Sequence, residues 1–420
     1  MHKSIWIVFI AIYSFSFSQK IDFKAYTKAL CSPEFQGRGY VNGGDSIAAG
    51  FIAKSFEEIG LLPINQSNHS YFQNFSFPVN TFPGEVSLQI DSSILLPGIH
   101  FLVDPSSGEY AGNLKLKFVS TSDLYNQKNV LNNWTDDHAL IIRNYGFGGD
   151  TVTKIRQYLQ QLASKIPIIE VVNTKLTWSV SQKKYAFPYI IVQDSVLKET
   201  PKSVSLKVDA QLVPVHTARN VIGYLPATKK NAKTLVFSAH YDHLGRMGKR
   251  IYFPGGNDNA SGTAMLAYLA SHFKKYSSNF NLVFIAFAGE EVGLLGSEYF
   301  VSNPLINLKD IRFLINLDIM GSGEEGITAV NGTLFEKEFL LLQKINKKQK
   351  ALPIIKKRGP AANSDHFYFT QAGVPAFFIY TMGPNKNYHD INDTYENLTF
   401  EAFEKIGRLL IEFTEKLAKK

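Results

Sequence analysis

The second half of the chain contains four short, nearly continuous apolar runs. They read TLVFSAH (234–240), NLVFIAFAG (281–289), IRFLINLDIMG (311–321) and VPAFFIYT (374–381). Such runs are typical of strands that are covered on both faces. A segment with helical spacing, residues 262–276, separates the first two, and residues 399–420 predict a terminal amphipathic helix with Thr399 as its N-cap. This alternation predicts an α/β fold with a mostly parallel sheet.

Two zones with a different character precede this one. Residues 19–80 look mainly helical, and Gly60 stands where a helix would end on a glycine cap. Residues 81–215 alternate strand-like pieces with turn residues and contain one helical piece. At 420 residues the chain suits two domains, or one large domain with an insertion. We therefore predict a β-rich insert at 81–215, placed within a domain made of 19–80 and 216–420.

The N-terminus has the pattern of a secretory signal peptide. A short basic start precedes an apolar run, residues 5–13, that is too short to span a membrane stably. Small residues Ser16 and Ser18 then occupy the −3 and −1 positions of a cleavage before Gln19. We expect residues 1–18 to be removed and the protein to be secreted or periplasmic, without a stable membrane anchor. Retention as an anchor is the less favoured alternative.

Charge and cysteine content exclude some classes of partner and of stabilisation. The net charge is +8, but the basic residues are scattered apart from 344–358 and the C-terminal tail. No zinc-finger spacing or RNP-type motif accompanies them, so we expect no nucleic-acid partner. The chain has one cysteine, Cys31, and therefore no internal disulfide. An exported protein of this kind must be stabilised by its core or by a metal.

Charged and imidazole side chains collect near the ends of the predicted strands. They are His240, Asp242, His243, Asp258, Glu290, Glu291, Asp318 and His389. Ligands of open α/β sheets bind beyond the carboxyl ends of the strands, so residues about 150 positions apart can converge. Histidines and carboxylates together are ligands of divalent metals, and carboxylates this close need a cation to ionise together. The number of groups suits two metal ions that share one carboxylate.

Glu290 and Glu291 pose a local problem, because neighbours on a continuing strand point to opposite faces. For both to serve one site, the strand must end at about Gly289 and a turn must redirect the chain. The glycines around the pair, Gly289, Gly293 and Gly296, permit such a turn.

The peptides HYDHLG, GGNDNASGTA, FAGEEVGLLGS, NLDIMG and YHDINDT, in this order, resemble the successive motifs of the M28 family of dizinc peptidases, which are mostly aminopeptidases. The resemblance is close over 216–400, and the leading peptides LCSPEFQGRGY and AAGFIAKSFEEIGL resemble the family's N-terminal segment. The insert matches a protease-associated (PA-like) domain by position and β character only. The resemblance implies a three-layer α/β/α fold with a mostly parallel mixed sheet, two zinc ions per chain and peptide substrates.

The resemblance also implies a metal-ligand set. Asp258 would bridge both zinc ions. His240 and Asp318 would bind one ion, and Glu291 and His389 would bind the other.

Three further positions take roles from the same resemblance. Glu290 would be the general base that takes a proton from water and passes it to the leaving amine. Asp242 would hold the second nitrogen of His240, and the hydroxyl of Tyr388 would help to stabilise the oxyanion. Family members often have a cis peptide at the position of Asp258–Asn259.

Some alternatives remain open at this point. A glutaminyl cyclase with one zinc ion shares the scaffold, and a carboxypeptidase could use the same metal site. A non-catalytic binding protein, whose PA-like insert recruits a partner, is less favoured because every ligand position is intact. His243 is predicted as a hydrogen-bonding neighbour of the site, Asp365 as a neighbour or a turn residue, and Asp393 as a residue that fixes the His389 loop.

Overall fold

The computed structural model describes residues 21–65, 69–125, 130–132, 134–146, 148–197 and 200–418. The predicted signal peptide, residues 1–18, lies outside the described residues. Among the helices in the described part of the chain, none is both long and apolar enough to span a membrane.

The described chain alternates helices with strands. The helices are α1 (Phe23–Leu30), α2 (Gly44–Ile59), α3 (Thr121–Tyr125), α4 (Gly149–Leu162), α5 (Gly262–Tyr276), α6 (Leu295–Ser302), α7 (Glu336–Gln349), α8 (His366–Gln371) and α9 (Phe403–Leu417). The strands of the first half are β1 (Leu62–Pro63), β2 (Phe72–Thr81), β3 (Val86–Ile90), β4 (Ser93–Leu95), β5 (Phe101–Val103), β6 (Tyr110–Phe118), β7 (His138–Arg143), β8 (Ile168–Val172), β9 (Tyr189–Gln193) and β10 (Ser203–Val208). Those of the second half are β11 (Gln211–Leu225), β12 (Thr234–His240), β13 (Arg246–Met247), β14 (Ile251–Tyr252), β15 (Asn281–Phe287), β16 (Ile311–Asp318), β17 (Gly326–Val330), β18 (Ile355–Lys357) and β19 (Ala376–Met382).

The larger sheet has the strand order β1-β11-β15-β12-β16-β19-β17-β18, and β2 pairs with β11. Its four central strands, β15, β12, β16 and β19, are parallel, whereas β11 and β17 join them in antiparallel fashion. Residues of α1, α2, α5, α7 and α9 pack in the core on one face, and residues of α6 and α8 pack on the other. This arrangement confirms the predicted three-layer α/β/α fold.

The central strands contribute side chains to both cores. On β12, Leu235 and Phe237 join one core and Val236 joins the other, and all three are fully buried. Because successive side chains of a strand point to opposite faces, a strand covered on both faces has to be apolar throughout. This requirement explains the uninterrupted apolar runs of the sequence.

The smaller sheet has the order β4-β3-β10-β6-β7-β8-β9-β5 and lies within the predicted insert. Strands β6 to β9 are parallel neighbours, and α4 packs against them through Ile155, Leu159 and Leu162. The two sheets are connected by β2 and β11, a long antiparallel pair that belongs to the larger sheet.

Two details differ from the sequence-based expectation. Residues 19–80 are helical only as far as Ile59, because β2 occupies 72–81 with alternating buried side chains such as Phe75 and Phe77. Helix α9 begins at Phe403 rather than at Thr399, whose hydroxyl donates to Glu324 instead of capping the helix. The predicted cap at Gly60 is confirmed: its φ is 87°, and its N–H donates to the carbonyls of the last helical turn.

Candidate metal centre

The five predicted ligands lie in one cluster beyond the carboxyl ends of the central strands. His240 is the last residue of β12, and its Nε2 lies 3.4 Å from Asp258 Oδ1 and 3.5 Å from Asp318 Oδ1. His389 Nε2 lies 3.1 Å from both Asp258 Oδ2 and Glu291 Oε2. Asp258 therefore stands between the two imidazoles, with one oxygen facing each. Their roles as ligands remain predictions.

The other nitrogen of each imidazole faces a backbone carbonyl. His240 Nδ1 lies 3.2 Å from the carbonyl of Asp242, and His389 Nδ1 lies 2.9 Å from the carbonyl of Trp178. Because a carbonyl only accepts hydrogen bonds, Nδ1 must be protonated in both rings. Nε2 of each ring is thereby directed at the carboxylates, as in proteins that hold a metal-binding histidine in place.

The electrostatics of the cluster fit a site for cations. Burial lowers the pKa of His389, but Glu291 and Asp258 outweigh it and raise that pKa to about 11. Burial raises the pKa of Asp318 to about 6, and Asp318 Oδ1 is buried without a hydrogen-bond partner among the described residues. A divalent ion would compete with protons for these atoms and would offset the repulsion among the carboxylates. The donors present therefore fit two divalent ions with Asp258 between them.

The turn that carries Glu290 and Glu291 is held by Asp242. Strand β15 ends at Phe287, and Gly289 redirects the chain with a φ of 70°. Asp242 Oδ1 accepts the N–H of Glu290 at 3.2 Å, and Oδ2 accepts the N–H of Glu291 at 3.3 Å. The predicted end of the strand and the predicted turn are thus both present.

The Asp242 carboxylate has a different set of partners from the one that the resemblance implies. Its Oδ1 lies 3.8 Å from His240 Nδ1, whereas the backbone carbonyl of the same residue lies at 3.2 Å. The carboxylate also accepts the hydroxyl of Tyr40 at 2.7 Å. Its hydrogen bonds therefore position the Glu290–Glu291 turn, while its backbone orients His240.

The pKa values of Glu290 and Tyr388 are both raised above their ordinary values. Burial raises the pKa of Glu290 well above its ordinary value; His240 lowers it, and neighbouring carboxylates, Glu291 first among them, raise it further. The Tyr388 ring stacks on His389 with centroids 3.9 Å apart and remains 47% exposed. Partial burial and the nearby carboxylates raise the pKa of its phenol, which stays protonated and able to donate.

Residues predicted as neighbours of the site lie at its edge. His243 Nδ1 is 2.7 Å from Glu291 Oε1, and His243 also forms, with Asp258 and Glu291, a group whose donor atoms could hold a metal ion. Asp393 accepts the N–H groups of Asn257 and Asp258 at 2.8 and 3.0 Å, which ties the Asp258 turn to the His389 loop. Asp365 is fully buried at the start of α8, and burial raises its pKa to about 7. The peptide bond Asp258–Asn259 is cis.

Sequence reasoning missed Arg38, which is completely buried below the cluster. Its guanidinium donates to five backbone carbonyls, those of Leu30, Tyr241, Pro254, Gly255 and Asp258. These carbonyls belong to the N-terminal segment, the chain after β12 and the turn that carries Asp258. One side chain thus ties three segments together beneath the site. The signal available in the sequence was an arginine between two glycines, in QGRGY.

Arg38→Met is expected to lower the free energy of unfolding by about 3–5 kcal/mol, because it removes a buried charge whose partners then stay unpaired. Chemical denaturation of the metal-free protein measures this effect without a contribution from bound ions. Arg312→Met is the matched control, since Arg312 is 32% exposed and pairs only with Glu338 in the described contacts; we expect a loss of at most about 1 kcal/mol. Equal losses in the two variants would contradict the structural role of Arg38.

The chain is similar to one protein family and to several curated proteins. A model of peptidase family M28 matches residues 220–414, which include the whole predicted ligand set. An aminopeptidase of Bacillus subtilis (strain 168) is 28% identical over 264 residues, covering 58% of this chain and 54% of the relative. A probable leucine aminopeptidase of Trichophyton verrucosum (strain HKI 0517) is 27% identical over 213 residues, covering 47% and 57% respectively. The chain thus spans about half the length of the curated relatives it matches.

Solved structures share the fold over nearly the whole chain. A zinc aminopeptidase from Bacillus subtilis superposes with a TM-score of 0.66 at 18% identity, covering 95% of both chains. A peptidase M28 precursor from Shewanella amazonensis SB2B superposes with a TM-score of 0.68 at 15% identity, covering 94% of this chain and 92% of the other. At these identities the likeness establishes the fold alone. The family match itself identifies a peptidase M28 domain over residues 220–414 of the chain.

Proposed function

We propose that this chain is a zinc-dependent aminopeptidase that holds two metal ions and removes residues from the N-termini of peptides. The observation that carries the proposal is the position of Asp258, whose two oxygens face His240 on one side and His389 on the other. Relatives described as aminopeptidases, and a structural neighbour described as a zinc aminopeptidase, support the choice of metal and reaction.

In this proposal the ligands divide between two ions. His240 and Asp318 would hold one ion, Glu291 and His389 would hold the other, and Asp258 would contact both. Zinc, when bound there, supplies Lewis acidity to the scissile carbonyl and to the attacking water.

The remaining steps belong to side chains of this domain. Glu290 takes a proton from the attacking water and delivers it to the leaving amine, and burial, which raises its pKa, favours its taking up that proton. Tyr388 donates its phenolic hydrogen to the developing oxyanion. Asp242 fixes the turn in which Glu290 and Glu291 take different roles, because each of its two oxygens accepts the backbone N–H of one glutamate.

We further propose that the protein acts after export, in secreted or periplasmic form, because of the signal-like N-terminus. The PA-like identity of the insert remains a proposal as well; its sheet and position are compatible with it.

The proposal predicts that purified protein hydrolyses aminoacyl anilides with a free amine and leaves the N-acetylated forms intact. A chelator should abolish this activity, and added zinc should restore it. Elemental analysis should give two zinc ions per chain.

Each alternative gives a different result in the same experiment. Cleavage of N-blocked peptides from the other end indicates a carboxypeptidase. One zinc ion per chain with cyclisation of N-terminal glutamine indicates a glutaminyl cyclase. A purified chain that takes up no zinc would support a binding protein and overturn the proposal.

A further inference from the structure

The connection between β8 and β9 is unusual for parallel neighbouring strands. Such strands are commonly linked by a crossover helix. Here residues 173–188, which we call the crossover loop, contain no helix or strand. Within this loop Leu176 and Trp178 are buried while Thr177 and Ser179 are exposed, the alternation of an extended chain. The loop leaves the smaller sheet and contacts the domain that carries the metal centre.

The crossover loop contacts the loop that carries His389. The N–H of Trp178 donates to the His389 carbonyl at 2.8 Å, and the Trp178 carbonyl accepts the Nδ1–H of His389 at 2.9 Å. Lys175 Nζ donates to the carbonyl of Lys386 at 2.6 Å and forms an ion pair with Asp390. A predicted metal ligand thus has its imidazole held by the backbone of the insert.

The same loop also contacts the turn that carries the paired glutamates. Gln182 Nε2 donates to the carbonyl of Val292, the residue after Glu291, at 3.2 Å. The Ser181 carbonyl accepts the N–H of Asn80 on β2 at 2.8 Å. The crossover loop therefore contacts the segments that carry Glu291 and His389, the two residues assigned to one ion.

The Trp178 side chain fixes this backbone in place. Its ring stacks on Phe253 with centroids 4.7 Å apart, and its indole N–H donates to the Val103 carbonyl at 2.7 Å. Phe253 precedes the turn that carries Asp258, whereas Val103 belongs to β5 of the smaller sheet. A buried aromatic ring with a satisfied N–H is a rigid anchor, because it leaves the backbone little freedom to move.

We propose that the crossover loop is a positioning element of the metal site formed by Asp258, Glu291 and His389, and that Trp178 is its principal residue. The Trp178 carbonyl keeps the proton of His389 on Nδ1 and directs Nε2 to Asp258 and Glu291. The corresponding acceptor for His240 is the carbonyl of Asp242, within its own turn. In the described contacts, the insert thus orients the imidazole assigned to one of the two proposed ions, and the chain after β12 orients the other. This inference rests on the proposed function, in which His389 binds an ion.

The test compares zinc affinities in Trp178→Ala and in wild-type protein, by titration against a competing chelator. Loss of a partner that orients a metal-binding histidine costs about 10–100-fold in affinity. We expect a loss of this size for one ion and no change for the other, with a matching change in the absorption of one site in the cobalt-loaded protein. Trp178→Phe should restore the affinity, because its ring can still pack on Phe253.

Trp134→Ala is the control, since Trp134 lies in the insert and contacts Lys117 and His138 rather than the crossover loop in the described contacts. A second matched pair keeps the test decisive if Trp178→Ala does not fold. Lys175→Met removes the contacts of Lys175 with the His389 loop and should lower the affinity for one zinc ion severalfold. Lys184→Met should not, because Lys184 lies in the same loop but pairs with Glu109 inside the insert.

The outcomes separate this inference from the proposed function. Two unchanged zinc affinities in Trp178→Ala, or in Lys175→Met where Trp178→Ala does not fold, would overturn the inference and leave the proposed function intact. An equal loss of affinity for both zinc ions would also overturn the inference, because that result indicates a general loosening of the fold. A wild-type chain that holds no second ion would overturn the two-metal function itself.

Discussion

Glu290→Gln is expected to lower kcat for aminoacyl anilide hydrolysis by about 10²–10⁴-fold while both zinc ions stay bound, as for loss of a general base. The amide keeps the shape of the side chain but cannot accept the proton of the attacking water. Glu291→Gln is expected to fail differently, by releasing the ion that it shares with Asp258 and His389. Steady-state kinetics and elemental analysis of the same preparations distinguish the two.

A second pair of adjacent glutamates, Glu324 and Glu325, provides the control for this comparison. Glu325 is exposed and lies outside the metal cluster, so Glu325→Gln should retain wild-type kcat and zinc content. If Glu290→Gln hydrolysed the substrate at the wild-type rate, its role as general base would be wrong. If Glu290→Gln lost zinc, the division of work between the two glutamates would be wrong.

Asp258→Ala is expected to release both zinc ions and therefore to abolish peptide hydrolysis. Each oxygen of this carboxylate faces a different imidazole, so its removal takes a ligand from both proposed ions at once. Loss of a residue that only orients a ligand costs up to about 100-fold in metal affinity. Loss of the ligand itself should lower the affinity for each ion by more than that. Zinc content after dialysis measures the effect.

Asp310→Ala is a suitable control, because Asp310 is 55% exposed and pairs with Lys233 away from the site. It should keep two zinc ions and wild-type activity. Retention of one tightly bound ion in Asp258→Ala would show that Asp258 serves a single site. The metal centre would then resemble the one-zinc alternative.

The convergence of the site could be predicted because its signal lies in the local sequence. Apolar runs predict buried parallel strands, and charged side chains at their ends must then meet at one edge of the sheet. The turn at Gly289 could be predicted for a related reason, since two adjacent carboxylates cannot both face one site from a continuing strand.

Other features could not be predicted, because they depend on backbone carbonyl groups, which every residue type has. The carbonyl of Trp178 orients His389, and any residue type would supply such a carbonyl. Arg38 acts on five carbonyls from distant segments, so its role depends on the completed fold. Strand β2 is a different case: alternating Phe75, Phe77 and Val79 in FQNFSFPVNT gave a period-two signal that the helical reading of residues 19–80 overlooked.

The contacts of Arg38 and Tyr40 also show that the segment matched by the family model is shorter than the part of the chain that packs around the site. The segment that matches the family model, 220–414, contains every predicted ligand. Yet Arg38 and Tyr40 lie outside it, as do Trp178 and the whole of β2, the partner of β11. A fragment cut at the boundaries of the match would keep all the predicted ligands and lose the groups that orient them. We therefore expect that assembling the proposed metal centre needs a much longer piece of this chain than residues 220–414.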